Sequence, residues 1–268
     1  MKFIGLKQIG KGGNGTVYVA TTDSNATVAV KCVQMYKEGS NGVCITAIRE
    51  AAALKTLKHQ HIVELIEIMP AEDTLLFVME LCTGGNLRQL ITSSKTKIRV
   101  SSYTHQLIGA VAYMHGRRIS HRDIKPDNIL LNGVRTVKLC CFGSSRFMHS
   151  DPFIATDGLP DRAEYTAKCT TLSYASPEQL IADKYYNPFK LDAWSLGCVI
   201  VEMIQRKVLV STAEEVEELK TTTKTSLCPD HLPAANIVSV ARGMLCVAPE
   251  ARITVAEARI MLGWYIRD

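Results

Sequence analysis

The feature that most constrains the fold is a change in the character of the chain near residue 86. Before it, the β-rich runs Thr16–Ala20 (TVYVA) and Thr27–Lys31 (TVAVK) flank the polar triplet Asp23–Asn25. Two such runs around a short polar turn are typical of a β-hairpin. Leu75–Met79 (LLFVM) reads as a further short apolar strand. The sequence therefore predicts a small, strand-rich N-terminal part.

The chain after residue 86 has the periodicity of helices. Ser101–His115 places Leu107, Val111 and Met114 on one helical face. Leu191–Ile204 (LDAWSLGCVIVEMI) is apolar nearly all round, and a helix of that kind is normally buried on every side. We therefore expect a larger, mostly helical C-terminal part.

Three further segments complete this outline. Ala47–Leu57 (AIREAAALKTL) is rich in strong helix formers and predicts one helix within the N-terminal part. Ala213–Lys220 (AEEVEELK) predicts an acidic surface helix, and Thr83–Gly85 (TGG) supplies flexible backbone near the junction. The expected fold class is α+β in two parts, and ligands usually bind in clefts between such parts.

Length and composition exclude several classes of protein. The chain has 268 residues, which suits one large domain or two small ones. Its 47% of hydrophobic and 21% of charged residues are close to the average of globular proteins. No apolar run reaches the roughly 18 residues of a membrane span. Met1–Gly10 alternates polar and apolar residues, unlike a signal peptide, so we expect neither a membrane nor a secreted protein.

The cysteines and the net charge narrow the choice further. The nine cysteines are odd in number and contain no C-x-x-C pair. We therefore expect neither a disulfide framework nor a zinc finger. We expect a reducing intracellular compartment. The net charge of +5, from 31 basic and 26 acidic residues, is mild. It does not call for a nucleic acid partner, and we expect none.

Gly10–Val17 (GKGGNGTV) fits the pattern G-x-G-x-x-G-x-V. Because a β-run follows it rather than a helix, the glycines are predicted to form the tip of a hairpin. Backbone amides without a neighbouring Cβ atom can lie over phosphate groups. The alternative is an ordinary glycine-rich turn.

Val28–Lys31 (VAVK) is a second candidate for a nucleotide site. Strand alternation puts Val28 and Val30 on one face and Ala29 and Lys31 on the other. Ala29 leaves room for a base, and the lysine can reach phosphates if an anion holds it. Glu50 on the predicted helix is the candidate for that anion. The alternative is a solvated strand lysine.

The run His121–Asn128 (HRDIKPDN) decides between these readings. It resembles the catalytic loop of the eukaryotic protein kinases, and the two earlier segments precede it in that family's order and approximate spacing. The resemblance implies that Asp123 orients the substrate hydroxyl group and accepts its proton. It also implies that Lys125 neutralises the γ-phosphate, as in serine/threonine kinases, and that Asn128 holds a magnesium ion.

The resemblance runs from about Phe3 to Tyr265 and implies a two-lobed kinase fold. The N-lobe is expected at about 1–79, the hinge at about 80–86 and the C-lobe at about 87–268, with ATP between the lobes. Lys31 and Glu50 would form the ion pair that holds the phosphates. The residues expected to contact ATP are Ile9, Gly10, Lys11, Gly12, Gly13, Asn14, Gly15, Thr16, Val17, Ala29, Lys31, Glu80 and Cys82.

Further motifs extend the resemblance toward the C-terminus. Ser176–Glu178 (SPE) stands for the family's A-P-E. Asp192 and Trp194 match the D-x-W-S-x-G helix. By the same resemblance, Arg252 would pair with Glu178.

Gly42–Glu50 (GVCITAIRE) resembles the cyclin-contacting helix of the cyclin-dependent kinases, P-S-T-A-I-R-E. Consecutive helix residues point about 100° apart. Ile48, Arg49 and Glu50 can therefore serve a partner, the activation segment and Lys31 respectively. The resemblance implies a cyclin-like subunit that binds through residues 42–50. The alternative is that TAIRE is merely a good helix sequence.

The activation segment supports the same group. Thr166 stands shortly before Thr171–Glu178 (TLSYASPE), which resembles the family's phosphorylated threonine followed by T-L-W-Y-R-A-P-E. A phosphate on Thr166 would carry a charge of close to −2 and would be stabilised by arginines. Arg49, Arg122 and Arg146 stand at the matching positions, so we expect a segment ordered by phosphorylation.

The largest departure from the family pattern is Cys140–Gly143 (CCFG), where the family has D-F-G. Cys141 replaces the aspartate that normally binds magnesium, and a soft thiol serves that hard ion poorly. A slow kinase, with manganese preferred to magnesium, is one expectation. The other is a pseudokinase that binds a cyclin or a substrate without transferring phosphate.

A second departure concerns the substrate. Ser173–Ala175 (SYA) stands where the family has W-Y-R. The missing arginine normally helps to shape the pocket behind proline-directed specificity, so we do not expect a preference for Ser/Thr-Pro sites.

The favoured interpretation is a cyclin-dependent serine/threonine protein kinase that uses ATP and magnesium and acts in the control of cell division. Its partners would be a cyclin-like subunit and a protein substrate. The family resemblance implies a nuclear location, and the cytoplasm is the alternative.

Overall fold

The computed structural model describes residues 2–13, 15–36, 44–133, 136–148, 154–155, 172–181, 185–233 and 235–263. The chain divides into two compact units. Unit 1 consists of residues 1–85 and 130–145, and unit 2 of residues 86–129 and 146–268. Unit 1 is strand-rich and unit 2 is mostly helical, so the predicted α+β class is confirmed.

The described residues form eleven strands. In chain order they are β1 Phe3–Gly12, β2 Gly15–Thr22, β3 Thr27–Gln34, β4 Leu65–Ala71, β5 Thr74–Glu80, β6 Ile119–Ser120, β7 Ile129–Asn132, β8 Thr136–Leu139, β9 Arg146–Phe147, β10 Ile154–Ala155 and β11 Tyr185–Tyr186. The first five make an antiparallel sheet in the order β1-β2-β3-β5-β4. The others pair as β6 with β9, β7 with β8 and β10 with β11. The predicted hairpin and the predicted strand at 75–79 are thus confirmed.

β3 has two faces of different character, as its alternation predicted. Val28 and Val30 are buried in an apolar cluster with Ala20 and Val78. Lys31 lies on the other face of the strand, where its side chain contacts a helix described below. The apolar cluster therefore fixes which way the lysine points.

β1 is one edge of the sheet and pairs irregularly with β2. The register shifts between Ile4 and Lys7 and again between Gln8 and Gly10. Gly5, within the first shift, has a φ of +66°, a conformation that glycine adopts without strain. Such irregularities bend and twist the edge strand.

The described residues also form eight α-helices. They are α1 Ile45–Thr56, α2 Leu87–Thr92, α3 Val100–Gly116, α4 Pro177–Leu180, α5 Pro188–Gln205, α6 Ala213–Thr221, α7 Asn236–Met244 and α8 Val255–Met261. α2, α6 and α8 each begin with a reciprocal capping box, a signature readable in the sequence. The capping pairs are Asn86 with Gln89, Thr212 with Glu215 and Thr254 with Glu257.

α5 is the central helix of unit 2 and confirms the prediction of a buried helix. Every residue from Leu191 to Met203 is buried, and the helix packs against α3 and α7. Pro188 occupies its first turn, where the missing N–H group has no intrahelical partner to lose. By contrast, α6 buries only Leu219, as expected for a surface helix.

A buried arginine ties α4 and α5 to the C-terminal part of unit 2. The Arg252 guanidinium donates to both carboxylate oxygens of Glu178, at 2.6 and 3.0 Å. It also donates to the Lys190 carbonyl oxygen at 3.0 Å and lies 4.9 Å from the Trp194 ring. The predicted pairing of Arg252 with Glu178 is confirmed.

Two structural absences hold for the described residues. No helix among them is both long enough and apolar enough to cross a bilayer. Their eight cysteines are all free thiols. Cys169 lies outside this part of the chain.

Candidate active site

The glycine-rich segment forms the tip of the β1–β2 hairpin, as predicted. β1 ends at Gly12, which pairs with Gly15 at the start of β2. Gly15 has a φ of +122°, and a Cβ atom there would lie 2.3 Å from the carbonyl oxygen of Cys32. Only glycine fits at this position. Asn14, also a predicted contact of ATP, lies outside the described residues.

The other predicted contacts in this hairpin lie close to the lysine strand. Gly10 pairs with Val17 of β2, and Val17 in turn pairs with Lys31 of β3. Thr16 pairs with Cys32 next to it. The exposed members of the set are Ile9, Lys11, Gly12 and Gly13. The strand register thus brings the glycine-rich tip alongside the strand that carries Lys31.

Lys31 and Glu50 form the predicted ion pair within unit 1. Lys31 Nζ lies 2.6 Å from both Glu50 Oε1 and Oε2. Lys31 projects from β3, and Glu50 projects from α1. The two residues are only 5% and 2% exposed, so each charge depends on the other for its compensation.

Two opposing effects set the pKa of Lys31. Burial alone would lower it, but the Glu50 carboxylate and the nearby Cys141 thiol together raise the pKa above its ordinary value. The side chain is therefore a firmly held cation. A fixed ammonium beside a glycine-rich hairpin is suited to binding phosphate.

Cys140 and Cys141 lie next to this ion pair. Their Sγ atoms are 3.6 Å apart. The contact with Cys141 and burial raise the pKa of Cys140 well above its ordinary value, so this thiol is protonated at neutral pH. Cys141 has φ and ψ of +67° and opens the short 3₁₀ turn Phe142–Ser144, which packs on α1. This left-handed conformation is one that aspartate and asparagine adopt more readily than most residues.

The predicted adenine contacts lie on β3 and at the end of β5. Ala29 is 7% exposed and pairs with Met79 across the strands. Glu80 forms an ion pair with Lys138 Nζ at 2.6 Å and accepts from the backbone N–H group of Glu64 at 2.8 Å. The sequence analysis missed Lys138, because no local spacing links it to a residue 58 positions earlier.

Cys82 follows β5 and is partly buried. Burial, followed by the negative charge of Glu80, raises the pKa of its thiol to about 11. It is therefore a neutral group at physiological pH. A neutral thiol beyond β5 is compatible with contact to an uncharged base.

In unit 2, the side chains of Asp123, Lys125 and Asn128 meet in one hydrogen-bonded group. Lys125 Nζ donates to Asp123 Oδ1 at 2.9 Å. Asn128 Nδ2 donates to Asp123 Oδ2 at 2.7 Å and to the Asp123 carbonyl oxygen at 2.8 Å. The carboxylate is thus oriented from two sides, which suits a group that must orient a hydroxyl group.

Asp192 on α5 holds the start of this loop. Its carboxylate accepts from the backbone N–H groups of His121 and Arg122, both at 2.8 Å, and from His115 Nε2 at 2.9 Å. Arg122 has a φ of +66°, which is strained for a long side chain. The buried Asp192 stabilises that conformation and fixes the direction in which Asp123 leaves the loop.

A second support, which the sequence analysis missed, comes from Arg88 on α2. Its guanidinium donates to Glu202 on α5, to the Tyr174 hydroxyl group and, at 3.4 Å, to Asp127 Oδ2. The Tyr174 hydroxyl group donates to the other Glu202 oxygen at 2.6 Å. One arginine therefore links the catalytic loop, the 172–176 segment and the central helix.

A small pocket opens beside Asp123 within unit 2. Tyr174, Ala175 and Gln179 contribute to its lining. Ala175 stands where the kinase resemblance expects an arginine. Its methyl side chain leaves this wall without the positive charge of that arginine. The residues 172–176 and the catalytic loop thus share one surface.

The three arginines expected to bind a phosphate are placed in different units. Arg49 is on α1 in unit 1. In unit 2, Arg146 of β9 pairs with Ser120 of β6. Ser120 stands two residues before Arg122, so Arg122 and Arg146 lie near each other. Thr166 lies outside the described residues, and its contact with the three arginines stays a prediction.

The described residues fit magnesium only in part. No three His, Cys, Asp or Glu side chains come together among them as a protein-only metal site would require. The amide oxygen of Asn128 is a hard donor of the kind that magnesium prefers. The Cys141 thiol is a soft donor and does not fit. Of the two positions at which the kinase resemblance implies a magnesium ligand, only that of Asn128 therefore carries a suitable donor.

Comparison with known families agrees with this geometry. A family model described as the protein kinase domain matches residues 3–261. The match includes the glycine-rich hairpin, the Lys31–Glu50 pair and the loop that carries Asp123. The strand-rich unit and the helical unit are the α+β architecture of a kinase domain. The chain belongs to the protein kinase family.

Proposed function

We propose that this protein kinase transfers the γ-phosphate of ATP to serine or threonine side chains of a protein substrate. The observation that carries the proposal is the group formed by Asp123, Lys125 and Asn128, with distances of 2.7 to 2.9 Å to the aspartate carboxylate. Lysine two residues after the catalytic aspartate is the pattern of serine/threonine kinases.

Each residue has a separate role in the proposed reaction. Asp123 would orient the substrate hydroxyl group and accept its proton as the oxygen attacks the phosphorus. Lys125 would neutralise charge on the transferred phosphoryl group. Lys31, held by Glu50 at 2.6 Å, would bind the other phosphates. Catalysis would then come chiefly from positioning and from charge neutralisation.

Metal binding is the step of this proposed chemistry that the replacement of aspartate by Cys141 affects. Magnesium, when bound, would neutralise phosphate charge, and Asn128 would be its ligand from this chain. We expect manganese to support faster transfer than magnesium, because it tolerates the softer surroundings that Cys141 provides. Initial rates with each metal, at saturating ATP, measure this. Equal or lower rates in manganese would contradict the expectation.

The proposed partner is a cyclin-like subunit, which would bind at α1. Ile45 and Ile48 on this helix are 49% and 48% exposed, whereas Glu50 on the same helix is buried against Lys31. A partner that packs on the exposed isoleucines would press on the helix that carries Glu50. This supports control of the Lys31–Glu50 pair by binding. Residues 42 and 43 of the proposed contact lie outside the described part. A role in cell division and a nuclear location rest on the same resemblance.

The second candidate function is a binding module without phosphate transfer. Cys141 is the observation that favours it, because this residue replaces a metal-binding carboxylate. Such a pseudokinase would bind a cyclin or a substrate without transferring phosphate. Against it stand the intact Lys31–Glu50 pair and the intact group around Asp123.

The test is transfer of radiolabelled phosphate from ATP to a serine/threonine peptide library, with a panel of cyclins present. The natural chain, Asp123→Asn and Cys141→Asp are compared. Activity in the natural chain that disappears in Asp123→Asn supports the kinase. Activity in Cys141→Asp alone supports the binding module. A matched library of tyrosine peptides tests the residue preference, and faster labelling of tyrosine would contradict it.

A further inference from the structure

The neighbouring thiols Cys140 and Cys141 are a chemical feature that the proposed kinase reaction does not use. Their Sγ atoms lie 3.6 Å apart, close to van der Waals contact. Cys140 is 8% exposed, while Cys141 is more accessible. To form a bond of about 2.05 Å, the two side chains and the backbone around them would have to adjust.

This pair lies beside a cation, as several other described cysteines do, but only these two cysteines are adjacent in the sequence. Both thiols interact electrostatically with Lys31, whose ammonium group is held in place by Glu50. A fixed cation favours attack by Cys141 Sγ, because it stabilises the negative charge that this sulfur carries as it reacts. Cys198 also interacts with a cation, Arg252, but it is buried on α5 beside Glu202 and has no adjacent cysteine in the sequence.

We propose that Cys140 and Cys141 are an oxidative modification site, in which a peroxide converts the two thiols into a disulfide between adjacent residues. This inference goes beyond the proposed phosphate transfer and does not depend on it. Its chemistry needs only the two sulfurs and a two-electron oxidant such as hydrogen peroxide.

The reaction balances in two steps. Cys141 Sγ attacks hydrogen peroxide, the O–O bond breaks, and a sulfenic acid and one water molecule result. Cys140 Sγ then attacks the sulfenic sulfur, the S–O bond breaks, and the leaving hydroxide takes the thiol proton to become the second water molecule. The sulfurs are oxidised by two electrons, and the peroxide is reduced to two water molecules. Cys141 reacts first because it is the more exposed thiol.

The product should be readily reversible. Adjacent Cα atoms are about 3.8 Å apart, less than the roughly 4.4–6.8 Å that ordinary disulfides span. A disulfide closed over so short a distance is strained, and strained disulfides are reduced easily. The site would therefore respond to an oxidant and recover in a thiol-reducing environment. It also removes two ionisable groups from beside Lys31 when it is oxidised.

The experiment uses the natural chain, fully reduced and then exposed briefly to hydrogen peroxide. Remaining thiols are blocked with N-ethylmaleimide, and the peptide that holds both cysteines is weighed by mass spectrometry. We expect it to be lighter by the mass of two hydrogen atoms and to carry no maleimide. Treatment with dithiothreitol before blocking should restore both labels. Labelling of both residues after peroxide would overturn the proposal, as would a disulfide from either residue to a third cysteine.

Serine variants locate the reaction. Cys140→Ser and Cys141→Ser should each lose the light peptide, whereas Cys246→Ser, a partly buried thiol in unit 2, should keep it. Far-ultraviolet circular dichroism checks that the variants are folded. A light peptide that disappears in Cys246→Ser would contradict the assignment.

A second measurement on the natural chain does not depend on any variant. Phenylarsine oxide binds two neighbouring thiols at one arsenic atom and releases water. One equivalent should bind and protect both Cys140 and Cys141 from maleimide. Failure of the reagent to protect them would also overturn the proposal. Because all these readouts are masses, they are unaffected if the chain transfers no phosphate.

Discussion

In unit 1 an intact ion pair lies beside a thiol at the position of a metal ligand, whereas in unit 2 Asp123, Lys125 and Asn128 form one hydrogen-bonded group. Lys31 and Glu50 are joined at 2.6 Å, but the Cys141 thiol occupies the position at which the family has a metal-binding carboxylate. Asp123 keeps both Lys125 and Asn128 as hydrogen-bond donors. The groups proposed to handle the hydroxyl proton are therefore complete, and those proposed to bind the metal are not.

Under the proposed mechanism, this difference predicts which part of the reaction is impaired. Loss of one metal ligand weakens charge neutralisation on the phosphates, which is worth several kcal/mol in metal-assisted reactions. Positioning of the substrate hydroxyl group depends on unit 2 and is unaffected. The comparison therefore predicts a slow enzyme whose remaining activity still depends on Asp123. The predictions below test this comparison.

The largest effect is expected from Asp123→Asn in unit 2. Loss of the proton-accepting carboxylate should lower the turnover number by about 10²–10⁴, with little change in stability because asparagine keeps the hydrogen bond from Lys125. Steady-state phosphate transfer measures it. Asp127→Asn is the matched control, since this carboxylate is exposed and contacts Arg88 at 3.4 Å. An equal loss in both variants would contradict a special role for Asp123.

Cys141→Asp in unit 1 should act in the opposite direction. Restoring a hard oxygen ligand should raise turnover with magnesium by about 10²-fold, the lower end of what such a ligand contributes. The left-handed backbone at this position, with φ of +67°, suits aspartate well. The same assay measures it, with Cys140→Ser as the control for loss of a thiol. An unchanged rate with magnesium would mean that unit 1 is not the impaired part.

Arg88→Met tests whether the stability of unit 2 depends on the hydrogen bonds that Arg88 donates to Asp127, Tyr174 and Glu202. Removing the guanidinium leaves the buried Glu202 with the Tyr174 hydroxyl group as a remaining donor. We expect the free energy of unfolding to fall by about 2–3 kcal/mol, less than for a fully buried pair because Arg88 is partly exposed. Urea denaturation measures it.

Arg242→Met is the control for the Arg88 variant. Arg242 donates to Asp230, whose side chain is 95% exposed, so this pair should contribute little. Similar losses in the two variants would show that the network around Arg88 has no special importance.

The smallest effect is expected from the pH dependence of the Lys31–Glu50 pair. The pKa of Lys31 is raised in the folded chain above its ordinary 10.5. The charged lysine therefore stabilises the fold fully below that pH, and this contribution is lost as the pH rises through the folded value. The stability advantage of the natural chain over Lys31→Met should shrink at alkaline pH. Lys7→Met, on exposed β1, is the control, and its difference in unfolding free energy from the natural chain should not change with pH. If the difference for Lys31→Met is equally independent of pH, the prediction is wrong.

Local patterns predicted those parts of the site that depend on regular structure. Strand alternation gave the direction of Lys31, and the glycine pattern gave the hairpin tip at Gly12 and Gly15. The pairing of Arg252 with Glu178 followed from family resemblance. Only the pairing of Arg252 with Glu178 joins distant parts of the chain, over 74 residues, and it came from the resemblance and not from a local pattern.

The supporting contacts were not predictable, because tertiary folding alone creates them. Arg88 meets Tyr174 and Glu202 over separations of 86 and 114 residues, and no periodicity connects those positions. The same holds for Lys138 and Glu80. The distance between the two Sγ atoms depends on the left-handed turn at Cys141, a conformation that a cysteine-cysteine sequence does not indicate.

The irregular edge strand β1 has a consequence for solubility. Ile4, Leu6 and Ile9 are all more than half exposed there, at 64%, 57% and 52%. A flat strand with such side chains at the border of a sheet would invite edge-to-edge aggregation. The two register shifts and the interspersed Lys7 and Lys11 oppose it, since twist and positive charge both hinder pairing with a second chain. Replacing Gly5 or Lys7, which lie outside the candidate active site, would therefore make the protein more prone to aggregation.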